Sequence, residues 1–116
     1  MAERNRITIP TLYEKKAKGE KIVMLTAYDH PFAMYEDRAG VDIILVGDSL
    51  GMTVLGMEST LPVTMDIMIA HAKAVRKGAP NAHVIGDMPY MTFQISKEEA
   101  IRNAGMFMSE CGVDSV

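Results

Sequence analysis

Val41-Asp42-Ile43-Ile44-Leu45-Val46-Gly47-Asp48-Ser49-Leu50-Gly51 is the stretch that decides the fold. From Val41 to Val46 the run is apolar except at Asp42, and its length suits a strand better than a helix. A strand apolar on both sides of its pleat belongs in a sheet covered on both faces, which is the habit of parallel sheets. The run ends abruptly in a glycine-bearing turn, Gly47 to Gly51. Upstream, Ile22-Val23-Met24-Leu25-Thr26-Ala27 has the same doubly buried pattern. Downstream, His83-Val84-Ile85-Gly86 is a third short run that ends in Asp87-Met88-Pro89, and Val113 to Val116 opens a fourth.

The segments between these runs are helical in character. Thr11 and Glu14 have capping-box spacing ahead of a helix from Leu12 to Lys18, which stops at Gly19. Pro31 opens a helix from Phe32 to Ala39, closed by Gly40. Thr64 caps a helix from Met65 to Lys77, with Asp66 at its positive end and Arg76 and Lys77 at its negative end. Ser96 and Glu99 form a second capping box for a helix reaching about Glu110, and Gly112 ends it. Its apolar stripe is Ile101, Ala104, Phe107, Met108 and Cys111. Strands joined by helix-length crossovers make a parallel sheet, so the fold class is α/β.

Composition narrows the function. A length of 116 residues fits one domain. A formal charge of −3 disfavours general nucleic-acid binding, which needs a basic face. The single cysteine, Cys111, excludes an internal disulfide framework and reads as a small core residue. No apolar run approaches the roughly 18 residues that span a bilayer. The polar segment Met1 to Arg6 lacks the apolar core of a secretory signal. A soluble, cytoplasmic protein without membrane or nucleic-acid partners is expected. The 11 methionines are spread along the chain and read as core filler. The basic run Lys15, Lys16, Lys18 and Lys21 reads as a solvated face.

In parallel α/β proteins reactive groups gather at the carboxyl ends of strands. Asp29, Asp48 and Asp87 occupy that position after the first, second and third strands. Converging carboxylates repel unless a cation or hydrogen bonds compensate, and Mg²⁺ takes one or two of them while keeping positions open for substrate. Asp48 and Asp87 are the best metal candidates. Asp is equally at home as a helix cap or turn residue, so both readings stand for all three. Ser49 is open in the same way, as a contact for a substrate carboxylate or as a turn cap. Glu14, Glu36, Glu98 and Glu99 lie on helices and read as solvated. His30, His71 and His83 are too scattered for a zinc site. The turn at Gly47 lacks both the dinucleotide and the Walker spacing.

Four collinear motifs now carry a family resemblance. Met24-Leu25-Thr26-Ala27-Tyr28-Asp29 resembles the first-strand motif of the ketopantoate hydroxymethyltransferases, and Val41 to Met52 resembles their most diagnostic segment. Ser59-Thr60-Leu61-Pro62-Val63-Thr64 and Gly86-Asp87-Met88-Pro89-Tyr90-Met91 continue in order, followed by Glu99-Ala100 and Arg102-Asn103-Ala104-Gly105. The resemblance implies a (β/α)₈ TIM barrel preceded by a helix, with residues 1–116 its N-terminal portion. It implies cytoplasmic homo-oligomers, typically decamers, that act in pantothenate biosynthesis. The implied reaction moves a hydroxymethyl group from 5,10-methylenetetrahydrofolate to 3-methyl-2-oxobutanoate, forming 2-dehydropantoate through a Mg²⁺-stabilised enolate. Asp48 and Asp87 would be metal ligands, and Asp48, Ser49 and Asp87 would contact the oxo acid. A substrate lysine, another acidic ligand and a glutamate general base are implied beyond Val116. A barrel takes about 250 residues, so 116 residues alone are expected to be inactive and part of something longer. Two other readings compete: a related Mg²⁺-dependent enolate enzyme of the isocitrate lyase and phosphoenolpyruvate mutase group, and a non-catalytic fragment with a structural or assembly role.

Overall fold

A computed structural model describes residues 4–116, so the N-terminal reading of residues 1–3 lies outside the described residues. Three strands, β1 (Met24–Thr26), β2 (Ile43–Val46) and β3 (His83–Gly86), form a parallel sheet in the order β1-β2-β3. Helix α1 (Ile9–Ala17) precedes the sheet and α2 (His30–Ala39) connects β1 to β2. A short α3 (Leu50–Thr53) and the long α4 (Met65–Gly78) connect β2 to β3, and α5 (Lys97–Met106) follows. Among the described residues the sheet is open, not a closed barrel. The fourth apolar run takes its expected parallel place beside β3, but only as a single bridge between Ile85 and Ser115. The Asp114 amide donates to the Val84 carbonyl and the Gly86 amide to the Ser115 carbonyl.

The core lies between the sheet and α4. Ile44 and Val46 of β2, Val84 of β3, Met68 and Val75 of α4, Leu50 and Phe107 are fully buried. Gly86 belongs to this packing. A Cβ placed there would stand 2.6 Å from the Phe107 ring, so only glycine lets the ring lie on the end of β3.

β1 is not buried on both faces: Met24 is 52% and Leu25 47% exposed, because among the described elements only β2 lies closely against it and no helix covers its faces. The first capping box is Thr8 with Thr11, one turn earlier than Thr11 with Glu14, and Pro10 occupies the first turn. Ser96 accepts from the Glu99 amide as expected of a cap, but the Glu99 side chain does not return the bond, so the expected second capping box is only half formed. The stripe on α5 is split, because Phe107–Cys111 form a π-helical turn that inserts a residue into the helical register. Phe107 and Cys111 therefore face the core while Ile101, 72% exposed, and Met108 do not. Of the methionines, Met68 is core, whereas Met24, Met52, Met91 and Met108 are exposed.

The amino-terminal side of the sheet is tied by three carboxylates, each holding a cation and a backbone amide. Asp37 of α2 accepts from the Ala82 amide (2.6 Å), the Asn81 amide and side chain (both 3.1 Å) and Arg4 (3.1 Å). Asp42 accepts from the Val23 amide and from Lys15, both at 2.9 Å. Lys15 is thus a clamp onto β2 and not part of a solvated face. Asp114 accepts from the Val84 amide, Arg6 and Arg76. Burial alone would push the Asp114 carboxyl up, but that amide and those guanidinium groups outweigh it and hold the carboxyl below its usual range.

Replacing the buried Asp37 strands the Asn81 and Ala82 amides. Asp37→Ala is expected to lower unfolding stability by about 3 kcal/mol, read from the urea midpoint.

Candidate active site

β2 and β3 pair with Val46 opposite Gly86, so their carboxyl ends finish side by side. The next residues are Gly47-Asp48-Ser49 on one strand and Asp87 on the other. The Asp87 amide continues the ladder by donating to the Val46 carbonyl at 3.0 Å. In return the Asp48 amide donates to Asp87 Oδ2, also at 3.0 Å. The Asp87 carboxylate is thus in direct contact with the Asp48 backbone. Gly47 leaves the approach open: a Cβ there would come 3.3 Å from Ser49 Oγ and 3.9 Å from Asp87 Oδ2.

Burial and this closeness together set the electrostatics. The Asp48 carboxyl is pushed up, first by burial, then by the Asp87 charge and by the hydrogen bond it shares with Asp87 while protonated; the Thr60 hydroxyl pulls the other way. Two half-buried carboxylates held together without a cation are a source of repulsion.

The three strand-end aspartates part company here. Asp29 is the N-cap of α2, its Oδ1 accepting from the Phe32 amide at 2.9 Å, so the capping reading holds for it. Asp48 caps no described helix, and Asp87 accepts from Asp48. Ser49 precedes α3 but makes no side-chain cap hydrogen bond; its Oγ lies 2.8 Å from the Tyr28 hydroxyl. The predicted pair Asp48 and Asp87 is thus brought together with Ser49 beside it.

Residues without a sequence-based role also gather here. Tyr28 stands beside Ser49. The Ser49 hydroxyl lowers its phenol from the usual tyrosine range against the effect of burial, helped by Thr26 and Thr53. Its backbone carbonyl accepts from His71 Nδ1 at 2.6 Å, so His71, half-buried on α4, serves as an anchor. Thr53 donates to the Ser49 carbonyl at 3.1 Å. Tyr28 and Thr60 were visible in the sequence only as members of their motifs. Glu36 departs from its solvated reading: its Oε2 is buried without a partner, and burial, then the Asp29 charge, push its carboxyl up. His83 is buried at the other end of β3, with Nε2 2.9 Å from Ser115 Oγ.

The donor chemistry can be matched to a metal. Among the described residues no group of three or more His, Cys, Asp or Glu side chains could hold an ion. Two carboxylates with hydroxyls nearby form an oxygen-only donor set. That suits Mg²⁺, which keeps waters and takes its other ligands from substrate, and does not suit zinc.

Because the folded chain keeps Asp48 protonated to higher pH, that contribution to stability is complete below the ordinary carboxylate range. It is lost as pH rises through the elevated folded value. Asp48→Asn is therefore expected to raise the melting temperature at pH 7 relative to wild type and to flatten its fall between about pH 4 and pH 7. Solvent screening keeps the gain to about 1 kcal/mol or less. A melting series across pH reads both effects.

Comparison with known proteins agrees with the motifs. The sequence profile of the ketopantoate hydroxymethyltransferase family matches residues 6–116. A Moorella thermoacetica protein named 3-methyl-2-oxobutanoate hydroxymethyltransferase is 53% identical over 116 residues, covering 100% of this chain and 43% of the relative. Proteins of the same name from Syntrophus aciditrophicus and Geobacillus kaustophilus are 56% and 58% identical, covering 96% and 90% of this chain and 41% and 37% of the relatives. The chain spans about two fifths of the length of these curated relatives. With nearly every residue inside the matched profile, the chain belongs to the ketopantoate hydroxymethyltransferase family.

Proposed function

We propose that residues 1–116 supply the oxo-acid- and metal-binding rim of an enzyme that transfers a hydroxymethyl group from 5,10-methylenetetrahydrofolate to 3-methyl-2-oxobutanoate, forming 2-dehydropantoate. The observation that carries this reading is the Asp48–Asp87 pair, two non-capping carboxylates joined through the Asp48 amide at the carboxyl end of the sheet. The name shared by the relatives supports the hydroxymethyl transfer. The folate donor and the magnesium ion rest on the motif resemblance and on the oxygen-only donor set.

In this reading Asp48 and Asp87 hold Mg²⁺. Bound there, the ion would act as a Lewis acid that favours negative charge on the keto oxygen of the substrate. Asp48 and Asp87 fix where that oxygen sits. Ser49 donates its hydroxyl hydrogen to the substrate carboxylate, a charge-assisted hydrogen bond. Gly47 keeps a side chain out of the approach. The group that removes the substrate proton is assigned outside residues 1–116, so the chain is proposed to bind without turning over. The (β/α)₈ barrel of which this sheet would be one part, its decameric assembly and its cytoplasmic location are proposed on the resemblance.

A titration with 3-methyl-2-oxobutanoate, followed by amide NMR with and without Mg²⁺, tests the proposal. Mg²⁺ is expected to tighten oxo-acid binding, and Asp48→Asn or Asp87→Asn to weaken the Mg²⁺-dependent part roughly tenfold or more. Binding indifferent to Mg²⁺ and to both substitutions would overturn the assignment. Adding methylene-folate to residues 1–116 is expected to give no product; sustained turnover would contradict the placement of the base.

A further inference from the structure

Tyr28 has an arrangement that the proposed chemistry does not by itself use. Its hydroxyl lies 2.8 Å from Ser49 Oγ. Both partners are held from separate elements. His71 on α4 donates from Nδ1 to the Tyr28 carbonyl, and since a carbonyl only accepts, Nδ1 carries the hydrogen. Thr53 on α3 holds the Ser49 carbonyl. Ser49 spends nothing on capping.

We infer that Tyr28 is a positioning residue for carboxylate recognition, acting through the direction of the Ser49 hydroxyl. This rests on the reading of Ser49 as the contact for the oxo-acid carboxylate. A serine hydroxyl has one hydrogen to give. If Ser49 gave it to Tyr28, an incoming carboxylate would meet lone pairs. If Tyr28 donates to Ser49 Oγ, the serine hydrogen is free to point at the anion. The phenol is the more acidic of the two hydroxyls and the better donor. The resulting chain, phenol to serine to carboxylate, polarises each hydrogen bond through the next. Tyr28 therefore selects an anion over a neutral group at that position without touching it.

The test is a binding comparison by amide NMR in Mg²⁺, using 3-methyl-2-oxobutanoate and its uncharged amide, 3-methyl-2-oxobutanamide. Tyr28→Phe is expected to weaken the oxo acid roughly five- to tenfold while leaving the amide within about twofold. Tyr28→Phe/Ser49→Ala is expected to bind the oxo acid no more weakly than Ser49→Ala alone, since the effect runs through Ser49. Fluorotyrosine at position 28 keeps the ring and is a stronger donor, so it should bind the oxo acid at least as tightly as wild type. Wild-type affinity in Tyr28→Phe, equal losses for acid and amide, or additive losses in the double variant would overturn the inference and leave the functional reading intact. Failure of the unsubstituted chain to bind the oxo acid would overturn the functional reading, and this inference with it.

Discussion

The parallel pairing of β2 with β3, Val46 opposite Gly86, is the constraint on which the candidate site depends. It brings the turn after one strand and the first residue after the other to the same height. A slip of one residue would change which face each side chain meets and separate Asp48 from Asp87. The register is held by packing. Ile44, Val46 and Val84 are fully buried, and the Phe107 ring rests where Gly86 has no side chain. The π-helical turn that presents Phe107 is thus part of what positions the carboxylates, although it lies far from them in sequence.

The two ends of the sheet use the same residue type in opposite ways. At the amino end, Asp37, Asp42 and Asp114 are each matched by a cation and by backbone amides. They lock strand starts to helices and serve stability. At the carboxyl end, Asp87 accepts from the Asp48 amide, and burial first, then the Asp87 charge, pushes the Asp48 carboxyl up. Two acidic side chains brought together at the mouth of a parallel sheet fit the proposal of a shared cation, which would offset their repulsion. The contrast matches the general division of α/β sheets into a stabilising end and a reactive end.

Much of this was legible in the sequence. The strand-length apolar runs placed all three strands, and Thr64, Ser96 and Gly40 marked helix ends where they occur. Burial of β1 was not legible: its residues show which surface would gain from cover, and composition does not show what lies over it. Four residues, Leu50–Thr53, are too few for periodicity to reveal a helix. A π turn leaves no compositional mark, so regular helical spacing runs the apolar stripe through residues that the real register turns outward. For the site, position alone made Asp29, Asp48 and Asp87 equivalent. Only geometry made Asp29 a cap and paired the other two. Tyr28 went without a role because a tyrosine after a strand has no spacing signature; its significance comes from a contact 21 positions along the chain.

Asp48 and Asp87 are proposed to share one divalent cation. Anomalous diffraction from crystals grown with Mn²⁺ in place of Mg²⁺ tests it most directly. A single strong anomalous peak coordinated by carboxylate oxygens of both residues is expected. A peak bound elsewhere, or none at that pair while the carboxylates turn apart, would contradict it.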